Sequence, residues 1–308
     1  MQDIKLENLE LFYDCVDESN NLLYEIYKRP YFELIEMTVN NILAGEILND
    51  LDDENHDKLQ KIYDKIADID FSVEDVRKAM QSIILRGFKE MNIPNGNTTP
   101  DTLGIFISYL ITKLNNSKNI SICDPLCGTG NLLLTVGNHL EAETNLIGCD
   151  IDLWMTKLLK LQADLLNTNV DIYLQDSLTL YLNNIDIVTF DMPHSENNEN
   201  GYFPYQAILH YKDYLKDNGS MIGIVENDFF DYDKNQKFKK ELLKEMTILG
   251  IIELPDSMFR LTKPKIILVL KKCVEDKKCF MIKLPSFTDV KEFNESIIDI
   301  EAWFEKNK

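Results

Sequence analysis

Asp124-Pro125-Leu126-Cys127-Gly128-Thr129-Gly130 is the stretch of sequence that decides the fold. It follows the apolar run 120–123, which predicts a buried strand that opens into a turn with glycine at two corners. Glycine lets backbone amides approach a ligand closely. The apolar segment that begins at Asn131 predicts a helix whose free N–H groups point back at the turn. The turn is therefore predicted to bind a small metabolite, through a carboxylate or a phosphate.

The glycine pattern argues against two common phosphate-binding loops. The dinucleotide fingerprint requires a third glycine where this chain has Leu133, and the triphosphate loop requires Gly-Lys-Ser/Thr, which the turn lacks. The remaining form, Asp-Pro-x-x-Gly-x-Gly, resembles motif I of the S-adenosylmethionine-dependent N6-adenine DNA methyltransferases. Within that family it is most similar to the modification subunits of type I restriction systems. The resemblance implies S-adenosylmethionine as the cofactor.

Composition predicts a folded and reduced protein. The 308 residues are 44% hydrophobic with 12 Gly and 9 Pro, and no apolar stretch reaches the roughly 18 residues of a membrane span. This length favours a core domain plus an appendage. The six cysteines contain no Cys-x-x-Cys pair, which favours reduced thiols over zinc or disulfides. We expect no metal site and no membrane partner, and we expect the protein to be cytoplasmic.

The charge balance argues against a nucleic-acid partner. The chain carries 52 acidic and 32 basic side chains, a net charge of −20, whereas a basic surface is the usual sign of DNA binding. The lysine-rich region 234–265 lies in the one positive part of the sequence. A solvated helix face is the plainer interpretation of these lysines, and contact with phosphates is the alternative.

The first 96 residues predict an all-helical N-terminal domain. Val76, Met80, Ile83 and Phe88 show the helical periodicity that recurs there. The acidic run 50–57 has no apolar face and predicts a solvated loop between helices. Turn-forming residues at 92–97 predict the boundary to a second domain, 97–285, which is followed by a C-terminal helical tail, 286–308.

Short apolar runs alternate with helical patterns in the second domain. This alternation predicts a mostly parallel α/β sheet covered on both faces. The last two strands are separated by too few residues for a crossover helix, so they should be antiparallel neighbours. The resemblance implies the class I methyltransferase fold, a Rossmann-like sheet of seven strands with an antiparallel last strand. The seven predicted strands are 119–124, 145–151, 170–176, 185–191, 220–227, 248–254 and 265–273.

Thr99 and Pro100 precede an apolar helical pattern. Thr99 is expected to cap this helix and Pro100 to take its first position. A Thr-Pro helix start ahead of motif I is also similar to motif X of the N6-adenine family, where this element lines the methionine end of the cofactor. The position of the pair ahead of Asp124 favours the functional interpretation.

Aspartates end two further predicted strands. Asp150 ends the second strand, and an acidic group there can accept hydrogen bonds from both ribose hydroxyls of a nucleoside ligand. Asp176 ends the third strand, where the resemblance implies contact with the exocyclic amine of the cofactor's adenine. Either residue could be a plain surface strand end. Two of them beside a glycine turn favour a ligand crevice.

Asp191-Met192-Pro193-His194 ends the fourth predicted strand. Active N6-adenine methyltransferases carry Asn/Asp-Pro-Pro-Tyr/Phe at this position, motif IV. There the side-chain oxygen and a main-chain carbonyl accept the hydrogens of the target amine, and the aromatic ring stacks on the flipped adenine. Asp191 and Pro193 match the motif, Met192 replaces the first proline, and His194 replaces the aromatic residue. Met192 keeps a carbonyl and an imidazole can stack, so this motif IV is degenerate but compatible with the chemistry.

The end of the sequence supports the same resemblance. Leu254-Pro255 and Phe259 precede the closing apolar strand, as in the type I modification subunits. No separate target-recognition insert is evident between Asp191 and Lys272. Sequence specificity would therefore have to come from the helical domain, the lysine-rich region or a partner subunit.

The resemblance implies methyl transfer from S-adenosylmethionine to an amine, as in site-specific adenine-N6 DNA methylation. Two alternatives stay open: a catalytically impaired cofactor-binding homologue that acts as a regulator or complex subunit, and a methyltransferase with a non-DNA substrate. DNA, a specificity subunit, and a homodimer or hetero-complex are the partners considered. The catalytic positions are Asp191, Met192, Pro193 and His194. The cofactor-binding positions are Thr99, Pro100, Asp124, Pro125, Cys127, Gly128, Thr129, Gly130, Asn131, Asp150, Ile151, Asp176 and Ser177.

Overall fold

Four helices form the N-terminal part of the chain in the computed structural model, which describes residues 5–94, 98–197, 199, 201–259, 262–274 and 278–307. They are α1 (Leu6–Tyr27), α2 (Tyr31–Ala44), α3 (Asp53–Tyr63) and α4 (Val73–Glu90). Leu23, Leu34 and Leu59, one from each of the first three helices, are buried in a common cluster. The predicted all-helical N-terminal domain is confirmed.

The acidic run 50–57 is not the predicted loop, because α3 begins inside it. The Asp52 side chain accepts a hydrogen bond from the Asn55 backbone N–H at 2.8 Å and caps the helix. Asp53 and Glu54 occupy the first turn, where negative charge interacts favourably with the helix dipole. The missing apolar face therefore marked a helix start and not a loop.

Eight strands of the described residues form one sheet. They are β1 (Asn119–Asp124), β2 (Glu143–Asp150), β3 (Val170–Leu174), β4 (Ile185–Asp191), β5 (Leu215–Glu226), β6 (Thr247–Glu253), β7 (Lys265–Lys271) and β8 (Phe280–Lys283). Their order in the sheet is β3-β2-β1-β4-β5-β7-β6-β8. β1 pairs in parallel with β2 and β4, and β4 pairs in parallel with β5. These pairings confirm the predicted mostly parallel α/β sheet.

The seventh strand runs against its neighbours. β7 pairs antiparallel with both β5 and β6, which confirms the predicted antiparallel pairing of the last two predicted strands. The sequence did not predict β8, which pairs in parallel with β6. β8 has only four residues, and its Phe280 ring lies against the backbone of Gly250, where an added Cβ would come within 2.2 Å of the ring. The antiparallel strand is therefore the seventh of eight and not the last.

Long buried runs show that both faces of the central sheet are covered. All of residues 266–270 in β7 and 219–226 in β5 are buried, and consecutive residues of a strand point to opposite faces. The remaining helices are α5 (Asp101–Leu114), α6 (Asn131–His139), α7 (Leu153–Leu165), α8 (Phe203–Lys212), α9 (Lys237–Leu242) and α10 (Val290–Lys306). The predicted C-terminal tail thus contains α10, and Lys308 lies outside the described residues.

The chain folds as two compact units. The first comprises Met1–Thr98, Gly128–Asn131 and Asp152–Val170, and the second comprises Thr99–Cys127, Leu132–Ile151 and Asp171–Lys308. Helix α7 belongs to the first unit, in which its Trp154 ring lies 5.9 Å from the Phe32 ring of α2. The boundary predicted at 96 lies outside the described residues, and the domain limits stay a prediction. No helix in the described ranges is both long and apolar enough to cross a membrane.

Candidate active site

Four aspartates lie at the ends of four adjacent strands. Asp124, Asp150 and Asp191 are the last residues of β1, β2 and β4, and Asp176 follows β3 by two positions. The Gln175 backbone N–H donates to the Asp150 carbonyl at 3.1 Å, which joins the ends of β2 and β3. Carboxyl ends of parallel strands meet at one edge of a sheet, where ligands bind in open α/β folds. The structure thus brings these predicted positions together along one edge.

Buried hydrogen bonds fix the first half of the glycine turn. The Asp124 side chain is 1% exposed and accepts from the Leu126 backbone N–H at 3.0 Å. The Cys127 N–H donates to the Cys149 carbonyl at 2.9 Å and ties the turn to the end of β2. Pro125, which lies between Asp124 and Cys127 in the sequence, is also buried. Burial raises the pKa of the Cys149 thiol to about 11, so it stays neutral near pH 7.

The second half of the turn requires glycine. Gly130 has φ +82°, and a Cβ there would lie 2.3 Å from Cδ1 of Leu159 in α7. Gly128 also has a positive φ, 51°. The Gln162 side chain donates to the Thr129 carbonyl at 2.7 Å, and the Arg77 guanidinium donates to the Asn131 side-chain oxygen at 3.4 Å. A tight approach to α7, as well as the turn itself, therefore selects Gly130.

Asp124 is held in an unfavourable place for a charge. Burial, together with the negative charges of Asp150 and Asp191, raises the pKa of Asp124 to about 8, although the Leu126 N–H acts in the opposite direction. A carboxylate this deep is costly unless it is paired or protonated. Near pH 7 the Asp124 side chain is therefore mostly protonated, so it adds little negative charge to the strand edge.

The donor and acceptor set at this edge fits S-adenosylmethionine. Asp150 is partly exposed and can accept from ribose hydroxyls, while Asp176 is exposed and can accept from an adenine amine. The Asp176 carboxylate also accepts from the Leu178 N–H at 2.9 Å, which fixes its position. Ile151 is 74% exposed and offers an apolar surface for a base. Ser177, in contrast, is buried, and its carbonyl accepts from the Tyr211 hydroxyl at 2.7 Å.

Thr99 and Pro100 do not take their predicted capping positions. α5 begins at Asp101, and Pro100 is its N-cap residue, which makes no side-chain capping hydrogen bond. The prediction that Thr99 caps and Pro100 starts the helix is therefore wrong. The Thr99 hydroxyl instead donates to Oδ2 of Asp191 at 2.9 Å. This bond connects the predicted motif X element directly to motif IV.

Met192 uses a backbone bond that proline could not make. Its N–H donates to the Ile224 carbonyl of β5 at 2.9 Å, and its side chain is 1% exposed within the core beside β4. The following residue, Pro193, is exposed, and its carbonyl accepts from the Ser195 hydroxyl at 3.1 Å. The methionine at the first proline position of motif IV thus adds a backbone hydrogen bond to β5 directly after the end of β4.

A buried carboxylate orients His194. Nδ1 of His194 lies 2.6 Å from Oε1 of Glu226, the last residue of β5. Because an ionised carboxylate only accepts, Nδ1 carries the hydrogen in this contact. The Glu226 side chain is 7% exposed whereas the His194 ring is 60% exposed. Lys263 bonds to the other Glu226 oxygen at 3.2 Å and to Asp228 at 2.8 Å. The imidazole is therefore held at one nitrogen and presents its faces at the surface.

Lys265 contacts both predicted amine acceptors of motif IV. Its Nζ lies 2.5 Å from Oδ1 of Asp191 and 3.3 Å from the Met192 carbonyl oxygen. The sequence placed Lys265 in the lysine-rich region but indicated no role for it, and no sequence pattern pointed to Glu226. The predicted topology could have identified both residues. An antiparallel β7 beside β5 places its first residue opposite the last residue of β5, and the register pairs Lys265 with Glu226.

The helical lysines of the 234–265 region are exposed. Lys237, Lys239 and Lys240 lie on the outer side of α9, whose Phe238 and Leu242 are buried. Lys244 pairs with Glu241 at 2.6 Å. This arrangement is that of a solvated helix face, the plainer of the two interpretations. Arg260 lies outside the described residues.

Two family models match the sequence and together span most of it. Residues 84–303 match N-6 DNA Methylase, and residues 10–88 match the YtxK N-terminal helical domain. Uncharacterized protein YtxK of Bacillus subtilis is 33% identical over 282 residues, which cover 83% of this chain and 84% of that protein.

Solved structures share the fold. A provisionally assigned class I S-adenosylmethionine-dependent methyltransferase from Listeria monocytogenes superposes with a TM-score of 0.86 at 28% identity, over 97% of this chain and 100% of that one. The type I restriction-modification system methyltransferase subunit from Streptococcus thermophilus superposes with a TM-score of 0.64 at 15% identity, over 95% and 74%. At the latter identity the likeness concerns the fold alone. The predicted class I methyltransferase fold is confirmed, and the chain belongs to the N-6 DNA methylase family.

Proposed function

We propose that this chain transfers a methyl group from S-adenosylmethionine to the N6 amine of adenine in DNA. Family membership and the class I methyltransferase fold support methyl transfer from this cofactor. One geometric observation carries the assignment of the acceptor site: Thr99 of the motif X element bonds directly to Asp191 of motif IV. This contact supports a shared cofactor and amine site at the carboxyl edge of the sheet.

The cofactor would be held by the turn and by the strand-end aspartates. Asp150 would accept from the ribose hydroxyls, Asp176 from the adenine amine, and Ile151 would cover one face of the base. The backbone amides of the turn after Asp124 would approach the amino-acid part. When bound, S-adenosylmethionine supplies an electrophilic methyl group on a positively charged sulfur.

The target amine would bind at Asp191 and Met192. Oδ1 of Asp191 and the Met192 carbonyl each accept one hydrogen of the amine, which leaves the nitrogen lone pair free to attack. The bound cofactor would supply the methyl group to this nitrogen, and the amine would then release its extra proton to water. Thr99 keeps the Asp191 carboxylate in place through its other oxygen. His194, held by Glu226, would stack on the flipped base in the place of an aromatic ring.

DNA would be reached with the help of a partner. Solved relatives of this fold include the methyltransferase subunit of a type I restriction-modification system, and such a subunit works within a complex. A basic specificity subunit would offset the net charge of −20 on this chain. The exposed lysines of α9 are the positions on this chain that would contact phosphates.

Calorimetric titration with S-adenosylmethionine tests the cofactor assignment. We expect binding by the native chain and a loss of affinity of about tenfold or more in Asp150→Ala, because two hydroxyl hydrogen bonds are removed. Asp171→Ala is the matched control, since it removes the same charge from an exposed position of β3. The proposal fails if the native chain does not bind S-adenosylmethionine, or if both variants lose affinity equally.

A further inference from the structure

Lys265 places a nitrogen at the position that the proposed reaction reserves for the target amine. Its Nζ is 2.5 Å from Oδ1 of Asp191 and 3.3 Å from the Met192 carbonyl oxygen. These are the two atoms that would accept the hydrogens of the adenine amine. A lysine ammonium has three donors and can satisfy both acceptors at once. The side chain of this protein therefore reproduces the hydrogen bonds of a substrate.

The backbone around Lys265 is fixed. The Asn227 N–H donates to the Pro264 carbonyl at 2.9 Å, and the Leu254 N–H donates to the Lys265 carbonyl at 3.1 Å. Lys265 is the first residue of β7 and lies between β5 and β6 in the sheet. The Cα position is thus set by two neighbouring strands. Only the flexible side chain needs to move to release the acceptors.

The Asp191 carboxylate is engaged on both oxygens. Thr99 donates to Oδ2, and Lys265 holds Oδ1. The two side chains of the ion pair are 18% and 17% exposed, so the pair is partly shielded from solvent screening. A neutral amine would have to replace a cation at a carboxylate. This exchange is unfavourable unless further contacts with the base offset it.

Lys263, two residues away, cannot take over the contact, because it is used elsewhere. It bonds to Glu226 and Asp228 and therefore neutralises a different pair of carboxylates. Lys263 therefore contacts two carboxylates, whereas Lys265 contacts the Asp191 carboxylate and the Met192 carbonyl. The contact at Asp191 thus depends on Lys265.

We propose that Lys265 is a resident competitor of the target amine, which holds the Asp191 and Met192 acceptors closed until a bound adenine displaces its side chain. The inference rests on the proposed function, because it takes these two atoms to be the amine acceptors. Such a residue lowers the apparent affinity for adenine by the fraction of molecules in which the acceptors are free. It also selects for targets that bring enough additional contacts to displace it.

Binding of two oligonucleotides in the absence of cofactor tests the inference. The probes are fluorescent single-stranded oligo-dA and oligo-dT, and the readout is the ratio of their dissociation constants. We expect Lys265→Met to raise the preference for oligo-dA over oligo-dT by about tenfold relative to the native chain. Removing a cation ordinarily weakens binding to both polyanions alike, so a gain selective for adenine reports the freed acceptors.

Two variants control for charge and for occupancy. Lys216→Met removes a lysine that is ion-paired at 2.8 Å to Asp186, another aspartate of β4, and should leave the ratio unchanged. Lys265→Arg keeps a cation at Asp191 and should resemble the native chain. An unchanged ratio in Lys265→Met, or the same change in Lys216→Met, overturns the inference.

A measurement on the native chain guards against a variant that does not fold. Acetylation of Lys265 by an amine-reactive ester, followed by peptide mass spectrometry, should rise about threefold or more with saturating oligo-dA and stay constant with oligo-dT. Equal labelling in both overturns the inference. If S-adenosylmethionine binds as proposed while these readouts fail, only the inference is lost. If S-adenosylmethionine does not bind, the proposed function fails with it.

Discussion

At the scale of single residues, Asp124 couples stability to pH. Burial raises its pKa to about 8, whereas an unfolded aspartate has a pKa of about 4. Between these values the folded state keeps a proton that the unfolded state has released. The contribution of Asp124 to stability is therefore fully present below about pH 4 and falls as pH rises to about 8, by up to about 1.4 kcal/mol per pH unit.

Asp124→Asn should remove this dependence, because asparagine does not titrate. We expect urea unfolding to show the variant gaining stability relative to the native chain between about pH 5.5 and about pH 7.5, by about 1 kcal/mol or more. Asp171→Asn, at an exposed position, is the control and should show no such trend. An identical free-energy difference at both pH values would contradict the assignment.

Met192 is expected to reject the proline of the family motif. Met192→Pro removes the N–H that bonds to the Ile224 carbonyl, and the unpaired carbonyl together with the lost core contacts should cost about 2 kcal/mol or more of unfolding free energy. Met192→Leu keeps the bond and the volume, and it should cost less than about 1.5 kcal/mol. Urea unfolding compares them. Equal stability of the two variants would show that the backbone bond is unimportant.

Single residues also mark where sequence reasoning stopped. The positions of Asp124, Asp150 and Asp191 could be predicted, because an apolar run ending in an acidic residue shows where a strand ends. The partner of Thr99 could not, because local sequence predicted a helix cap and the hydroxyl bonds to a residue 92 positions away. The role of Lys265 could not be predicted for a related reason. Its role depends on the register of β7 against β5, which no local pattern specifies.

At the scale of elements, the glycine turn depends on α7. Gly130→Ala imposes a positive φ on alanine and also brings Cβ to 2.3 Å from Leu159. Gly45 is a matched control, since it has φ +68° but open space around its Cβ position. We expect Gly45→Ala to cost about 1 kcal/mol for the backbone alone, and Gly130→Ala to cost about 1 to 3 kcal/mol more through overpacking.

Thermal or urea unfolding of both glycine variants separates the two contributions. Calorimetry with S-adenosylmethionine should also show weaker binding in Gly130→Ala and native affinity in Gly45→Ala. Equal losses of stability in the two variants would mean that the contact with α7 relaxes without cost. Native cofactor affinity in Gly130→Ala would separate the turn from the cofactor site.

Elements were predictable where a buried face repeats along the chain. The seven predicted strands all exist, and each is rich in apolar residues over a short stretch of the sequence. β8 was not predicted because it is short and Phe280 is its one buried residue. The start of α3 was not predicted because most of its residues are polar. The helix start is marked by the capping residue Asp52 and not by an apolar stripe.

At the scale of the whole molecule, charge should govern access to DNA. With a net charge of −20, the chain alone is expected to bind duplex DNA no more tightly than about 10⁻⁴ M at physiological salt, the weak end of non-specific binding. Fluorescence anisotropy with a labelled duplex checks this. Submicromolar binding by the isolated chain would contradict the proposed need for a basic partner.

The yield of N6-methyladenine tests the account most directly. Four proteins are compared: the native chain, Lys265→Met, Asp191→Ala and the double variant. Each is incubated with S-adenosylmethionine and unmethylated genomic DNA, and the nucleosides of the digested DNA are measured by mass spectrometry. The account predicts the highest yield from Lys265→Met and only background from both proteins that lack Asp191. Equal yields above background from Lys265→Met and the double variant would contradict the claim that Asp191 and the Met192 carbonyl are the acceptors of a target adenine.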